Sequence, residues 1–204
     1  MTPALTAMAA LPALGWSVHA AALRHRLKQA RRDPLTGLPT RDQFTDQATR
    51  LLRHRPALVV LIDLDRFKPL NDTHGHAAGD TALRTVAERL AAWSRRDGIA
   101  ARLGGDEFAA ILPHPADPDA ELAALHAALT APVTHRGQHL DVGASIGAHP
   151  APPGTPLPHA LGAADAAMYH AKRHGGGWHQ NTTSPSAPHN APHRWKRTRP
   201  APTR

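Results

Sequence analysis

The stretch that most constrains this chain is Arg102-Leu103-Gly104-Gly105-Asp106-Glu107-Phe108, where two adjacent glycines run into two adjacent carboxylates. Glycine accepts the positive φ of a tight turn without steric cost and lets a ligand approach the backbone. Ile99 to Leu103 precedes the glycines, and the apolar run Phe108-Ala109-Ala110-Ile111-Leu112 follows them. A short apolar run bounded by turn residues reads as a buried strand. The unit expected is a hairpin that carries Asp106 and Glu107 at its tip. Side chains alternate along a strand, so the two carboxylates should point different ways.

A second stretch supplies a complementary set of groups. Ala57-Leu58-Val59-Val60-Leu61-Ile62 is a β-branched apolar run that ends in Asp63-Leu64-Asp65-Arg66-Phe67-Lys68. Carboxylates at the end of a buried strand, with a lysine in the loop beyond, suit a divalent ion and a phosphate. Mg²⁺ is normally held by one or two carboxylates plus substrate phosphates. If Asp63 and Asp106 meet in space they form such a site, and paired ions there can activate a hydroxyl and neutralise a departing pyrophosphate. Read singly, such acids are solvated turn residues.

The ordered combination resembles the GGDEF-domain diguanylate cyclases. The matching blocks are Asp33-Pro34-Leu35-Thr36-Gly37-Leu38-Pro39 with Arg41, then Asp63-Leu64-Asp65-Arg66-Phe67-Lys68 with Asn71-Asp72, and Gly75-His76-Ala77-Ala78-Gly79-Asp80. Arg102 to Phe108, Ser145-Ile146-Gly147 and Ala164 to Lys172 complete the series, so the likeness covers residues 33–172. It implies a palm-like α+β fold, as in polymerases and nucleotidyl cyclases, with helices packed on an antiparallel-centred sheet. It also implies condensation of two GTP into cyclic di-GMP, with Mg²⁺ or Mn²⁺, at a homodimer in which each domain holds one nucleotide. The metal ligands implied are Asp63, Asp106 and the Leu64 carbonyl; Glu107 takes the hydroxyl proton or holds a second ion. Lys68 and Lys172 match phosphate contacts, the backbone around Arg66 and Phe67 a phosphate cradle, and Gly104 and Gly105 the close approach of substrate. Asn71 and Asp80 match guanine readers, a role their chemistry suits: a carboxylate accepts from guanine N1–H and N2–H₂, which adenine lacks. Asp80 also reads as a helix N-cap.

Three positions depart from the family pattern. Gly176 stands where an arginine usually follows the lysine by four residues. In Ser94-Arg95-Arg96-Asp97-Gly98, Gly98 occupies the place of the aspartate of the Arg-x-x-Asp product-inhibition motif, which predicts weak or absent inhibition by that route. Thr40 replaces a frequent asparagine. Gly176, with no sensor domain evident, leaves open a catalytically silent domain that binds GTP or a protein partner.

The net charge of +8 belongs to the ends. Residues 1–32 and 175–204 each carry five basic and no acidic groups; without those ten, 14 basic groups face 16 acidic ones over 33–174. That balance excludes a basic nucleic-acid-binding module. Absence of cysteine excludes disulfides and thiolate chemistry. Among the 16 histidines, His74 and His76 flank Gly75 without a third ligand.

The expected organisation is an N-terminal helix over 1–32, a catalytic domain over 33–174 and a disordered basic tail over 175–204. Residues 2–23 lack charged side chains and are followed by Arg24, Arg26, Lys28, Arg31 and Arg32. The length and flank allow a membrane anchor with the domain on the cytoplasmic side; the alanine content and spacing allow a signalling helix instead. Within the domain the element order reads α–β–α–β–β–α–β–β–α. Helices fall over 41–53, 80 onward, 119–129 and 160–173. Residues 71–79 form a loop, and a hairpin turns at Arg136-Gly137-Gln138 between residues 133–135 and 140–148.

Overall fold

The structure, a computed structural model, describes residues 31–95 and 97–182. Its elements run α1 (Arg41–His54), β1 (Ala57–Asp65), α2 (Phe67–His74), α3 (His76–Ser94), β2 (Ile99–Gly104), β3 (Glu107–Pro113), α4 (Pro118–Thr130), β4 (Val133–His135), β5 (Gln138–Leu140), β6 (Gly143–Ala151), α5 (Leu157–Arg173) and β7 (Gly177–Gln180). The main sheet has the order β2-β3-β1-β6-β7, antiparallel except for the parallel pair β6–β7.

β1 lies at the centre, and its alternation serves two cores. Leu58, Val60, Ile62 and Leu64 join Phe108, Ile146 and the apolar stripe Leu83, Val86, Ala87 and Leu90 of α3, with Leu122, Leu125 and Leu129 of α4. Ala57, Val59 and Leu61 join Phe44, Ala48 and Leu52 of α1 and Leu157, Leu161, Ala164 and Met168 of α5 on the opposite face. A strand buried on both faces reads as a continuous apolar run for this reason. Gly147 permits the closeness of α5: a Cβ there would collide with the Ala164 carbonyl and the Met168 amide.

Asp33-Pro34 opens the domain in a turn, where Gly37 N–H donates to the Asp33 carbonyl (2.9 Å). The palm-like sheet between helices agrees with the expected fold, with four local differences. Residues 67–74 are helical, and α3 starts at His76, so Asp80 lies inside the helix and does not cap it. α5 starts at Leu157, with Pro158 in its first turn. Val133–His135 pairs with Gln138–Leu140 in a separate two-stranded sheet, and the strand of the main sheet begins afresh at Gly143. Finally, Gly177–Gln180, assigned from sequence to a disordered tail, forms β7 beside Ser145–Ala148. The expected helix over 1–32, its 2–23 segment and the tail beyond 182 lie outside the described residues, except for Arg31 and Arg32. Among the described residues no helix is long and apolar enough to cross a membrane.

Candidate functional site

The strand register assembles the acidic residues at one end of the sheet. Asp63 is the Cα partner of Glu107 on β3 and of Ser145 on β6. Residues directly opposite in a ladder share a face, so the Asp63 and Glu107 side chains project together on the α5 side. Asp106 is one residue back, in the turn, and its carbonyl accepts from the Leu64 N–H at 3.2 Å. The tip is therefore held against the end of β1.

Positive charge reaches the same place from two helices. Lys172, in the last turn of α5, places Nζ 2.7 Å from Asp63 Oδ1, and only 7% of Asp63 is exposed. Arg41, in the first turn of α1, lies 3.8 Å from Glu107 and donates to the Leu103 carbonyl at 3.4 Å. The sequence reading gave Arg41 no role, since nothing in residues 39–43 points across the chain to Glu107.

The glycine turn is fastened from behind. Gly104 and Gly105 take φ of 143° and 54°. Arg102 donates from Nε (3.0 Å) and Nη2 (2.7 Å) to the Gly105 carbonyl, and from Nη1 to Asp33 Oδ1 (3.0 Å) and Oδ2 (3.2 Å). Thr36 donates to the same Asp33 Oδ1 through its hydroxyl (2.7 Å) and amide (2.9 Å). Burial pushes the Asp33 carboxyl up, but the Thr36 bonds and the Arg102 guanidinium outweigh it and hold the group below its ordinary value.

At the other side of the site, Arg66 adopts a left-handed conformation (φ 54°) and turns the chain from β1 into α2. Phe67 and Lys68 open that helix; Pro69 follows them and has no N–H. Amides at a helix start have no intrahelical partner and favour anions. Asn71 lies in the last turn of α2 against α3: a Cβ on Gly79 would strike its amide oxygen and sit 3.2 Å from the Phe67 ring. Asp80, the next residue, is 3.8 Å from Arg84 with its side chain half exposed. Asn71 thus packs at the α2–α3 contact, with Asp80 one residue beyond Gly79 on α3.

Among the described residues no three His, Cys, Asp or Glu groups converge as an all-protein metal cage. Two carboxylates and a peptide carbonyl, all hard oxygen donors, fit an ion whose remaining ligands are phosphate oxygens and water.

The departures have structural counterparts. A Cβ on Gly98 would collide with the Ser94 carbonyl and lie 2.6 Å from the Ile111 carbonyl oxygen, so this backbone has no room for an aspartate. Arg95 is engaged with Glu121 at 2.6 Å. Gly176 has φ 99°, a conformation costly for arginine. Thr40 precedes α1 and makes no side-chain capping bond.

An antiparallel-centred sheet between helices, with acids at the end of its central strand and at the glycine turn beside it, defines a palm-like domain. The family profile described as "Diguanylate cyclase, GGDEF domain" matches residues 30–177. The chain belongs to the GGDEF-domain diguanylate cyclase family. It is 52% identical over 171 residues to an uncharacterized 19.3 kDa protein of Streptomyces ambofaciens, covering 82% of this chain and 92% of that one. It is 38% identical over 154 residues to diguanylate cyclase DgcZ of Escherichia coli, covering 70% of this chain and half of DgcZ. Among solved structures, the coiled coil and GGDEF domain of DgcB from Caulobacter crescentus, in complex with c-di-GMP, superposes with a TM-score of 0.74. That pair is 28% identical and covers 84% of this chain and 95% of that one.

Proposed function

We propose that the chain condenses two GTP molecules into cyclic di-GMP with release of two pyrophosphates. The observation that carries this reading is the register pairing of Asp63 with Glu107 beside Lys172, at the end of the central strand. Mg²⁺ or Mn²⁺, held by Asp63, Asp106 and the Leu64 carbonyl, would supply charge neutralisation for the triphosphate.

The residues divide the remaining work. Lys172 and Lys68 bind the phosphates, together with the unpaired amides at the start of α2. Asn71 and Asp80 read the guanine edge, and the bare backbone at Gly104 and Gly105 lets the nucleotide lie close. Glu107 accepts the proton of the 3′-hydroxyl as that oxygen bonds to the partner nucleotide's α-phosphorus; the bond to pyrophosphate breaks in line. Arg41 orients Glu107 from α1. One nucleotide per domain makes a homodimer a requirement of the stoichiometry.

The test is to incubate the purified chain with GTP and Mg²⁺ and separate the products by mass. Cyclic di-GMP and pyrophosphate in a 1:2 ratio are the expected result. GTP binding without turnover would replace the enzyme by the silent domain, the reading that Gly176 favours.

A further inference from the structure

We propose that Asp65, which the reading above leaves without a task, is a positioning residue that sets the geometry of the triphosphate site. The inference rests on that site being a GTP site.

Asp65 is the last residue of β1, two positions beyond Asp63 and so on the same face of the sheet. Its Oδ1 accepts from the Ser145 hydroxyl at 2.7 Å, and Ser145 is fully buried on β6. Glycines flank the carboxylate. Gly143, its register partner on β6, would bring a Cβ within 3.0 Å of the Asp65 Cβ. Gly176, in the run after α5, would bring one within 3.0 Å of Oδ2. The end of β1, the start of β6 and the exit of α5 therefore meet on one carboxyl group.

Two of those three segments carry the phosphate groups. Lys68 follows Asp65 by three residues, across the left-handed Arg66, and Lys172 precedes Gly176 by four. A non-glycine residue persists in the left-handed region only where its neighbours are fixed. The Ser145 bond fixes the residue immediately before Arg66 and so aims the first amides of α2. The space left by the missing Cβ of Gly176 lets the loop that leaves Lys172 pass beside this carboxylate. Asn71 and Asp80 depend on the α2–α3 packing and not on this carboxylate. Disturbing Asp65 should therefore weaken the hold on the distal phosphates while leaving the hold on the base unchanged.

The test compares full-length S145A, D65A and D65N with the wild type, by titration with a non-hydrolysable GTP analogue and with GMP in Mg²⁺, and by steady-state kinetics. S145A and D65A should each weaken the GTP analogue roughly tenfold and raise KM with little change in kcat, GMP affinity staying within about twofold. D65N keeps the acceptor oxygen and should stay near wild type, and the S145A/D65A double variant should lose no more than either single one. Parallel loss of GTP-analogue and GMP affinity would reduce Asp65 to a structural role, and unchanged affinity in S145A and D65A would remove it from the site. Wild-type chain that binds the analogue but forms no product leaves this comparison intact and overturns only the cyclase reading. Wild-type chain that binds neither nucleotide overturns both.

Discussion

At the scale of single residues, the ammonium of Lys172 is the group whose removal speaks most clearly. Its 2.7 Å contact with Asp63 shows that α5 delivers a cation to the carboxylate end of β1, where the proposed triphosphate would bring its own negative charge. Hydrogen bonds to charged groups are worth about 1.5–3 kcal/mol, so Lys172→Met should lower kcat/KM for GTP by roughly 10- to 100-fold. Steady-state kinetics checks this. Gly98 makes a different point. The carbonyls of Ser94 and Ile111 fill the space a side chain would need, so Gly98→Ala should destabilise the domain by about 1–3 kcal/mol in denaturant titration. With no aspartate at that position, added cyclic di-GMP should leave the initial rate of the wild-type chain unchanged.

At the scale of elements, the hairpin tip depends on a loop some seventy residues earlier. Asp33 links Thr36 to Arg102, and Arg102 in turn holds the Gly105 carbonyl. The carboxyl of Asp33 is held below its ordinary value in the fold, so the unfolded chain binds its proton first as pH falls. Its stabilisation is therefore complete above an ordinary carboxylate pKa of about 4 and is lost as pH falls through the lower folded value. Asp33→Asn should lower stability at pH 7 by about 1–2 kcal/mol, and the gap from wild type should close toward pH 3; urea titrations at the two pH values measure it.

How much of this was legible in the sequence follows from what each element buries. β1, β3, α3 and α4 bury long apolar stripes, and periodicity located them. α2 buries no residue fully and carries Pro69, so Asn71 to Gly79 looked like a loop. The Ala77-Ala78-Gly79 opening of α3 hides its start for a related reason: small residues give little contrast between faces. β7 follows two glycines, opens on a third and is only half-buried; what makes it a strand is parallel pairing with β6, a contact over thirty residues away. Asp63, Glu107 and Lys172, which the fold brings together, lie in motifs that are local and ordered in the sequence. Arg41 and Asp65 owe their positions to tertiary contacts with Glu107 and Ser145, which no local pattern announces.

At the scale of the whole molecule, the sheet presents its acidic end on one side of the domain. On the proposed function each domain would hold one nucleotide, and a product that joins two would require two such ends to face one another. Specific activity should rise with protein concentration over a dilution series and level off where the dimer saturates. A specific activity independent of dilution down to concentrations at which sedimentation finds only monomers would exclude this arrangement.

The central claim is that Asp63 and Glu107, paired across β1 and β3, are one catalytic site. Its most direct measurement is cyclic di-GMP formation by the wild type, Asp63→Asn and Glu107→Gln, with each variant's fold checked by circular dichroism. The account predicts product from the wild type and a loss of about 100-fold or more in each folded variant. Product formed at wild-type rates by either folded variant would contradict it.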